Sequence, residues 1–132
     1  MSKLIDPAAI AVATIWQEAR NQPHEGRIAV AEVIRRRADT GFHSDGTIIG
    51  ACLAPLQFSG WNAKDPNRIP SLKIDTTDPI VLDCMKAWEA SAFTDLSHGA
   101  DSYVNLTIVK PDWYKPTLVT AVIGDHSFLR LR

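Results

Sequence analysis

The chain has 132 residues, a length that suits one domain built around a single hydrophobic core. Apolar residues make up 45% of it and charged residues 22%, as is ordinary for a globular protein, and the net charge of −1 argues against a protein that coats nucleic acid. No run of about 18 uninterrupted apolar residues is present, so we expect no stable insertion into a membrane.

The N-terminal stretch MSKLIDPAAIAVATIW does not have the pattern of a secretory signal. It carries one lysine, followed by Asp6 and Pro7 where the apolar stretch of a signal would build. We therefore expect the protein to stay in the cytoplasm in which it is made, unless another device exports it.

The first predicted element is a helix that begins at Asp6-Pro7. Aspartate is a favoured N-cap residue, and proline fits the first helical position because no N–H donor is needed there. Apolar residues recur at helical spacing as far as Ala19, and Pro23 prevents the helix from continuing. Glu18 falls on the border of this apolar face, where a carboxyl group is partly removed from water.

A second helix is predicted from about His24 to Ala38. Its apolar face is formed by Gly26, Ala29, Val30, Val33 and Ile34. Arg37 falls on the same face, where a cation must be paired or must extend outward at the helix end. We interpret Arg20 and Arg37 as ion-pair partners for Glu25 or Glu32. Those two glutamates are otherwise expected to be ordinary surface or helix-dipole charges.

The middle of the chain alternates loops with two further helices. The segment TIIGACLA predicts a short helix, and residues 55–78 form a long, proline-rich irregular stretch of the kind that is often functional. A second cap-and-proline pair, Asp78-Pro79, predicts a helix over residues 79–93. Its buried face is expected to contain Val81, Cys84, Met85, Trp88 and Ala92.

The C-terminal third changes in character from helical to β-forming. The segment SYVNLTIV is rich in β-formers, and TLVTAVIGDHSFLRL predicts two strands joined by a tight turn at Gly124-Asp125. The predicted class is therefore α+β, mostly helical with a small antiparallel sheet towards the C-terminus.

Glu18 is the candidate for acid–base chemistry. Cleavage of a glycosidic bond needs a protonated carboxyl group beside the leaving oxygen, and a partly buried glutamate beside Trp16 suits that need. On the pattern alone, a solvated surface glutamate is the stronger interpretation of this position.

Other chemistries have less support. The four histidines are scattered without metal-ligand spacing, no GxSxG motif or phosphate loop is present, and no metal or cofactor is expected. Cys52 and Cys84 lie in apolar surroundings, which favours two buried thiols, with a disulfide as the alternative. The run at residues 35–37 is interpreted as a helix end with two solvated arginines, and phosphate binding is the alternative. Trp61 is either a sugar-stacking platform or a loop anchor.

Several segments resemble the SleB-type, spore-cortex-lytic cell wall hydrolases. The matching residues of the first two helices are Glu18-Ala19-Arg20, Pro23, Glu25-Gly26, Ala29-Val30, Val33-Ile34 and Arg37. QFS at 57–59, GADSYVN at 99–105 and GDHSFLR at 124–130 resemble later family elements in the same order. The similarity spans nearly the whole chain, although Arg36 stands where the family usually has asparagine.

The resemblance implies a lysozyme-like fold and cleavage of the bond between N-acetylmuramic acid and N-acetylglucosamine in peptidoglycan, commonly by lytic transglycosylation. It implies Glu18 as the catalytic acid/base, with no metal. Further substrate-binding positions are proposed at Gln57, Ser59, Trp61, Tyr103, Asn105 and His126. Tyr103 and His126 are expected to orient Glu18 or the substrate, whereas Phe58 and Phe128 are expected in the core.

Two alternatives stay open. A muramidase would use water as the nucleophile, with Glu25 or an aspartate of the 62–78 stretch as a second carboxylate. A non-catalytic wall-binding phage module would keep the fold without activity. The expected partner is a peptidoglycan strand rather than nucleic acid, the expected state is a monomer, and the compact size suggests a phage endolysin that waits in the host cytoplasm for a membrane lesion.

Overall fold

The structure, a computed structural model, describes residues 6–54, 57–58, 61, 65 and 74–132. In these residues the helices precede a small sheet, which confirms the predicted α+β class. The helices are α1 (Pro7–Ala19), α2 (His24–Thr40), α3 (Ile48–Leu53), α4 (Pro79–Ala90) and a 3₁₀ turn (Pro116–Leu118). The strands are β1 (Ser102–Val104), β2 (Val119–Ile123) and β3 (His126–Leu129).

Helix α1 begins as its sequence predicts. The Asp6 carboxylate accepts a hydrogen bond from the Ala8 amide at 2.9 Å, and Pro7 occupies the first helical position. The predicted apolar face packs inward, with Ala11, Ile15 and Ala19 fully buried against the other helices. This packing orients the last turn of α1, which carries Glu18.

Helix α2 runs two residues beyond the predicted end. It ends at Gly41, which has a φ of 74° and donates its N–H to the Arg37 carbonyl at 2.9 Å. Glycine suits this left-handed position because it has no Cβ. The helix is long enough to cross the core and to place Arg37 near the sheet.

Arg37 points inward as predicted, but the predicted ion pairs of the two arginines are wrong. Arg37 is only 6% exposed, and its Nε donates to the Asp101 carbonyl at 2.7 Å. Arg20 instead donates to the carbonyls of its own helix and stacks on Trp16, with the guanidinium carbon 4.4 Å from the ring centroid. Among the described residues, no ion pair joins either arginine to Glu25 or Glu32.

Glu32 is buried, which contradicts its prediction as an ordinary surface charge. Its carboxylate accepts hydrogen bonds from the Thr94 hydroxyl and from the backbone amides of Leu96 and Ser97, at 2.5, 2.9 and 2.8 Å. The loop after α4 packs on this position and supplies the donors, so the carboxylate replaces water with three protein hydrogen bonds. Glu25 lies exposed in the first turn of α2, as predicted.

Helix α4 also starts at its predicted cap, with the Asp78 carboxylate accepting from the Ile80 amide at 2.7 Å. Val81, Cys84 and Trp88 are buried as expected. The predicted end and two of the predicted core positions are wrong. The helix stops at Ala90, so Ala92 lies exposed beyond it, and Met85 is 36% exposed because it faces outward between the buried rows.

The sheet has the order β1-β3-β2, and both pairings are antiparallel. Strands β2 and β3 form the predicted hairpin through Gly124, whose φ is 57°. Strand β1 pairs with the other edge of β3, and this register sets Tyr103 opposite Phe128. Phe128 is fully buried, as predicted, so the register holds the backbone of Tyr103 firmly at the edge of the core.

Two further predictions concern the pairing of the cysteines and the exposure of the arginines at 35–37. Cys52 and Cys84 are buried free thiols, so the disulfide alternative is wrong. Two solvated arginines were expected in the run, but Arg35 is half-buried, with its guanidinium carbon 3.8 Å from the Trp88 ring centroid. Because Arg37 is buried and Arg35 is held against Trp88, the run does not present three free cations to a phosphate backbone.

Candidate active site

Glu18 occupies the last turn of α1, at the end where the helix dipole is negative. A carboxylate opposes that dipole, so the position favours the neutral acid more than a position near the N-terminus would. The side chain is half-buried and lines an open cavity of about 490 Å³. This Glu18 cavity lies between the end of α1 and the sheet, with the loop after β1 forming its other wall.

Tyr103 of β1 holds the Glu18 carboxyl group. Its hydroxyl donates to Glu18 Oε1 at 2.5 Å, and the contact links residues 85 positions apart. The ring lies against His126, with centroids 4.8 Å apart, and against Phe128 at 5.7 Å. The buried aromatic neighbours restrict the Tyr103 ring, so the hydrogen bond fixes the direction of the carboxyl group.

The surroundings raise the pKa of Glu18 above its ordinary value. Burial is the largest cause, because an ionised carboxyl group loses hydration. The Tyr103 hydrogen bond lowers the pKa, the negative charge of Asp65 raises it, and the cations Arg37 and Arg20 lower it. The net upward shift keeps the group protonated to higher pH than a solvated glutamate, as a proton donor requires.

The structure brings three of the sequence-predicted binding residues together beside Glu18: Tyr103, Asn105 and His126 all line the Glu18 cavity. The Asn105 side-chain oxygen accepts from the Thr107 amide and hydroxyl, so it stabilises the turn that forms the cavity wall. His126 is 5% exposed, and burial lowers its pKa, which favours the neutral imidazole. Their roles in substrate binding stay predictions.

Of the other three predicted binding residues, Gln57 and Trp61 do not line this cavity. Gln57 lies in an adjacent cavity with Arg37. Trp61 donates its indole N–H to the hydroxyl of buried Thr14 at 2.8 Å and packs on the core, which favours the loop-anchor interpretation over the sugar platform. Ser59 lies outside the described residues.

Trp113 and Gln17 are among the cavity residues that the sequence analysis missed. Trp113 lies in the loop after β1, is 42% exposed, and offers an aromatic surface where none was predicted. Gln17 precedes Glu18 and is 8% exposed, and neither atom of its amide has a hydrogen-bond partner among the described residues. A polar residue at a buried helical position was the available signal for Gln17. An aromatic residue after Pro111 and Asp112 was the signal for Trp113.

No group of three or more metal-ligating side chains occurs within the described ranges. Within the same ranges, no helix has the length and apolar character needed to cross a membrane. The described lining of the cavity offers one carboxyl group, the Arg20 guanidinium, a tyrosine, a histidine, amides, and aromatic and aliphatic surface.

The chain is similar to known proteins in sequence and in fold. The model of a family described as Cell Wall Hydrolase matches residues 21–129, so the match begins three positions after Glu18. The spore cortex-lytic enzyme of Oceanobacillus iheyensis is 28% identical over 120 residues, covering 88% of this chain and 38% of that protein. The spore cortex-lytic enzyme of Bacillus subtilis is 27% identical over 114 residues, covering 86% and 34%. The chain thus spans about a third of the length of these curated relatives.

Two solved structures share the fold. The catalytic domain of the germination-specific lytic transglycosylase SleB from Bacillus anthracis has a TM-score of 0.74 and 21% identity, with 98% of this chain and 100% of that chain covered. The catalytic domain of the Bacillus cereus SleB protein has a TM-score of 0.74 and 22% identity, with 94% and 89% covered. The likeness confirms the predicted fold across nearly the whole chain.

Proposed function

Because the chain belongs to the cell wall hydrolase family, we propose that it is a lytic transglycosylase. Its substrate is peptidoglycan, and it cleaves the β-1,4 bond between N-acetylmuramic acid and N-acetylglucosamine. The observation that carries the proposal is the Glu18 carboxyl group, which lines an open cavity, has a raised pKa and is oriented by Tyr103.

In the proposed reaction, Glu18 first donates its proton to the bridging oxygen as the bond from the muramic acid anomeric carbon to that oxygen breaks. The muramic acid 6-hydroxyl oxygen then bonds to the anomeric carbon, and its proton returns to Glu18. Atoms balance without water, because the sugar supplies the nucleophile. One carboxyl group therefore suffices, and the product ends in a 1,6-anhydro ring.

The Tyr103 hydroxyl has a second part in this scheme. It donates to the Glu18 carboxyl group, and this bond strengthens when Glu18 becomes an anion after giving up its proton. The pKa of Tyr103 lies well above its ordinary value because of burial and the adjacent Glu18, so the hydroxyl keeps its own proton throughout. Tyr103 is thus proposed as a positioning residue for the acid/base.

A muramidase is the second candidate, and Asp65 is the observation that favours it. Its charge lies close enough to Glu18 to raise the pKa of that carboxyl group, and it belongs to the 62–78 stretch in which a second carboxylate was expected. In a muramidase, such a carboxylate would assist the attack of water on the anomeric carbon.

Mass spectrometry of the fragments released from purified sacculi distinguishes these proposals. A transglycosylase leaves anhydro-muramic acid ends, which are lighter by one water than the reducing ends left by a muramidase. Release of reducing ends alone would replace the first proposal by the second. No release of fragments by protein that binds sacculi would support the non-catalytic wall-binding module.

We further propose that the enzyme acts as a monomer during phage-induced host lysis, reaching the wall from the host cytoplasm through a membrane lesion. Membership of a cell wall hydrolase family supports this proposal, because cleavage of the wall is a step that host lysis requires. The protein is produced inside a Gram-negative bacterium with and without a membrane-permeabilising agent. Lysis that needs both protein and agent supports it, and lysis by the protein alone contradicts it.

A further inference from the structure

A second cavity adjoins the Glu18 cavity and has a volume of about 330 Å³. Tyr103 and Trp113 line both cavities, so the two are separated by no more than these two aromatic residues. Arg37, Gln57 and His43 line the second one on its other sides. A sugar bound in the Glu18 cavity would therefore have this Arg37 cavity beside it, across the aromatic pair.

Arg37 brings a positive charge to that cavity, and one of its N–H groups makes no hydrogen bond within the described residues. It is 6% exposed, and its Nη1 has no hydrogen-bond partner among the described residues. The guanidinium carbon lies 5.1 Å from the Phe58 ring centroid and 5.9 Å from that of Phe42, neither of which offers a hydrogen-bond acceptor of carboxylate strength. A buried cation with an unused donor is costly unless a ligand satisfies it.

Asp101, one candidate counter-ion for Arg37 within the protein, is already engaged. The Asp101 carboxylate accepts from the backbone amides of Leu131 and Arg132 at 2.8 and 3.0 Å, and from the Ser102 hydroxyl at 3.2 Å. Arg37 reaches only the Asp101 backbone carbonyl. The carboxylate therefore anchors the C-terminal segment, and among the described residues no hydrogen bond joins it to the Arg37 guanidinium.

We propose that the Arg37 cavity is a subsite for a carboxylate carried by the muramic acid residue of the substrate strand. A guanidinium group that lines a cavity is suited to a carboxylate because the two form charge-assisted hydrogen bonds. Two sources have this chemistry: the lactyl carboxylate of a peptide-free muramic acid, and a carboxylate of its stem peptide. The subsite rests on the proposed function, since it assumes a muramic acid residue beside Glu18.

The subsite would couple substrate binding to the acid. Burial is the largest influence on the pKa of Glu18 and raises it, as the charge of Asp65 also does. The Tyr103 hydrogen bond and the cations Arg37 and Arg20 lower that pKa. A carboxylate bound to Arg37 cancels part of the cationic field. The protonated form of Glu18 is then favoured when the correct substrate is in place.

The test uses small probes and the Glu18→Gln protein only as a control. The carboxyl carbon of Glu18 is followed by NMR across pH in the wild-type protein, together with the side-chain N–H signals of Arg37. Three probes are compared: N-acetylglucosamine, N-acetylmuramic acid, and muramyl dipeptide, whose lactyl group is amidated and whose carboxylate is on the peptide. The Glu18→Gln spectra identify the Glu18 resonance by its loss.

A carboxylate probe is expected to shift the Arg37 signals and to raise the pKa of Glu18, whereas N-acetylglucosamine should do neither. A response to N-acetylmuramic acid assigns the lactyl carboxylate, and a response to muramyl dipeptide alone assigns the stem peptide. Equal responses to all three probes, or no response of Arg37 to either carboxylate, would overturn the subsite.

Variants give a second, independent measurement. Arg37→Gln should lower the affinity for a carboxylate probe by about tenfold, while the affinity for N-acetylglucosamine stays the same. Arg36→Gln is the matched control. Because Arg37→Gln removes a buried hydrogen bond and could impair folding, Gln57→Glu places a negative charge in the same cavity instead. This substitution too should lower the affinity for the carboxylate probe by about tenfold, and an unchanged affinity would contradict the subsite. Probe binding involves no turnover, so its outcome is separate from that of the sacculus digestion.

Discussion

Glu18 and Glu32 are two shielded glutamates on adjacent helices, and they differ in what surrounds the carboxyl group. Glu32 accepts three hydrogen bonds from the loop at residues 94–97. Glu18 accepts one, from Tyr103, and otherwise lines an open cavity. The first has its hydrogen-bonding capacity used by the protein, and the second keeps capacity for a ligand.

The comparison shows that burial alone does not identify a functional carboxyl group. A structural carboxylate is surrounded by donors that the fold supplies, so its replacement is expected to change the stability of the fold. A catalytic acid is shielded from water and has few donors to stabilise its anion. It therefore keeps its proton at a pH where a solvated glutamate has already lost it, and the proton is available to a substrate. The following substitutions test this distinction, from the largest expected effect to the smallest.

Glu18→Gln should lower the rate of muropeptide release by about a thousandfold, because an amide cannot donate and recover the proton. The rate is measured by mass spectrometry on purified sacculi. Glu89→Gln, at an exposed position in α4, is the matched control and should retain the wild-type rate. A Glu18→Gln protein that digests sacculi at the wild-type rate would remove Glu18 from the mechanism.

Glu32→Gln should instead lower the free energy of unfolding by about 2 kcal/mol, because an amide group replaces an acceptor that serves three donors. Urea unfolding measures the change, and Glu89→Gln on the exposed side of α4 is the control. The folded fraction should still cleave sacculi. If stability is unchanged and cleavage is lost, the assignment of a structural role to Glu32 is wrong.

Tyr103→Phe should reduce kcat/KM by about tenfold through the loss of one charge-assisted hydrogen bond. That bond lowers the pKa of Glu18, so its removal raises the pKa further. A general acid is active while protonated, and the alkaline limb of the pH–rate profile should therefore move to higher pH. Tyr114→Phe is the control; a limb that stays in place would show that Tyr103 does not act through Glu18.

Glu18→Gln should also stabilise the fold by about 1 kcal/mol at neutral pH, because it removes a carboxylate that loses hydration on folding. The folded-state pKa of Glu18 is raised, so the unfolded chain ionises first and the wild type loses stability as pH rises through that interval. Below the unfolded pKa the two proteins should differ little. Thermal unfolding across pH measures this, and a constant difference in Tm would contradict the assigned cause.

The fold was largely predictable because its signals are local. The caps at Asp6 and Asp78, the apolar rows of α1 and α2, and the turn at Gly124 each depend on a few neighbouring residues. Helical spacing also placed Arg37 on an inward face. Spacing defines a direction on one helix, but it carries no information on what packs there.

The errors follow from that limit. The donors to Glu32 lie 62 to 65 residues further along the chain, and the carbonyl that binds Arg37 lies 64 residues away. Charge complementarity suggested that Glu32 and Arg37 have partners nearby in the sequence. The loop after α4 packs on Glu32 instead, and the segment before β1 packs on Arg37. The exposed Trp113 was likewise missed, since only the path of the loop after β1 brings it to the cavity.

The sequence by itself determined where the helices start, which faces they bury, and that Glu18 lies at the edge of an apolar stripe. The tertiary structure alone decided that Tyr103, 85 residues away, reaches that carboxyl group, and that Tyr103 and Trp113 line two adjoining cavities. The physical reason is that capping and helical periodicity act over a few residues. The hydration, hydrogen bonds and electric field at a carboxyl group are set instead by whichever distant segments pack around it.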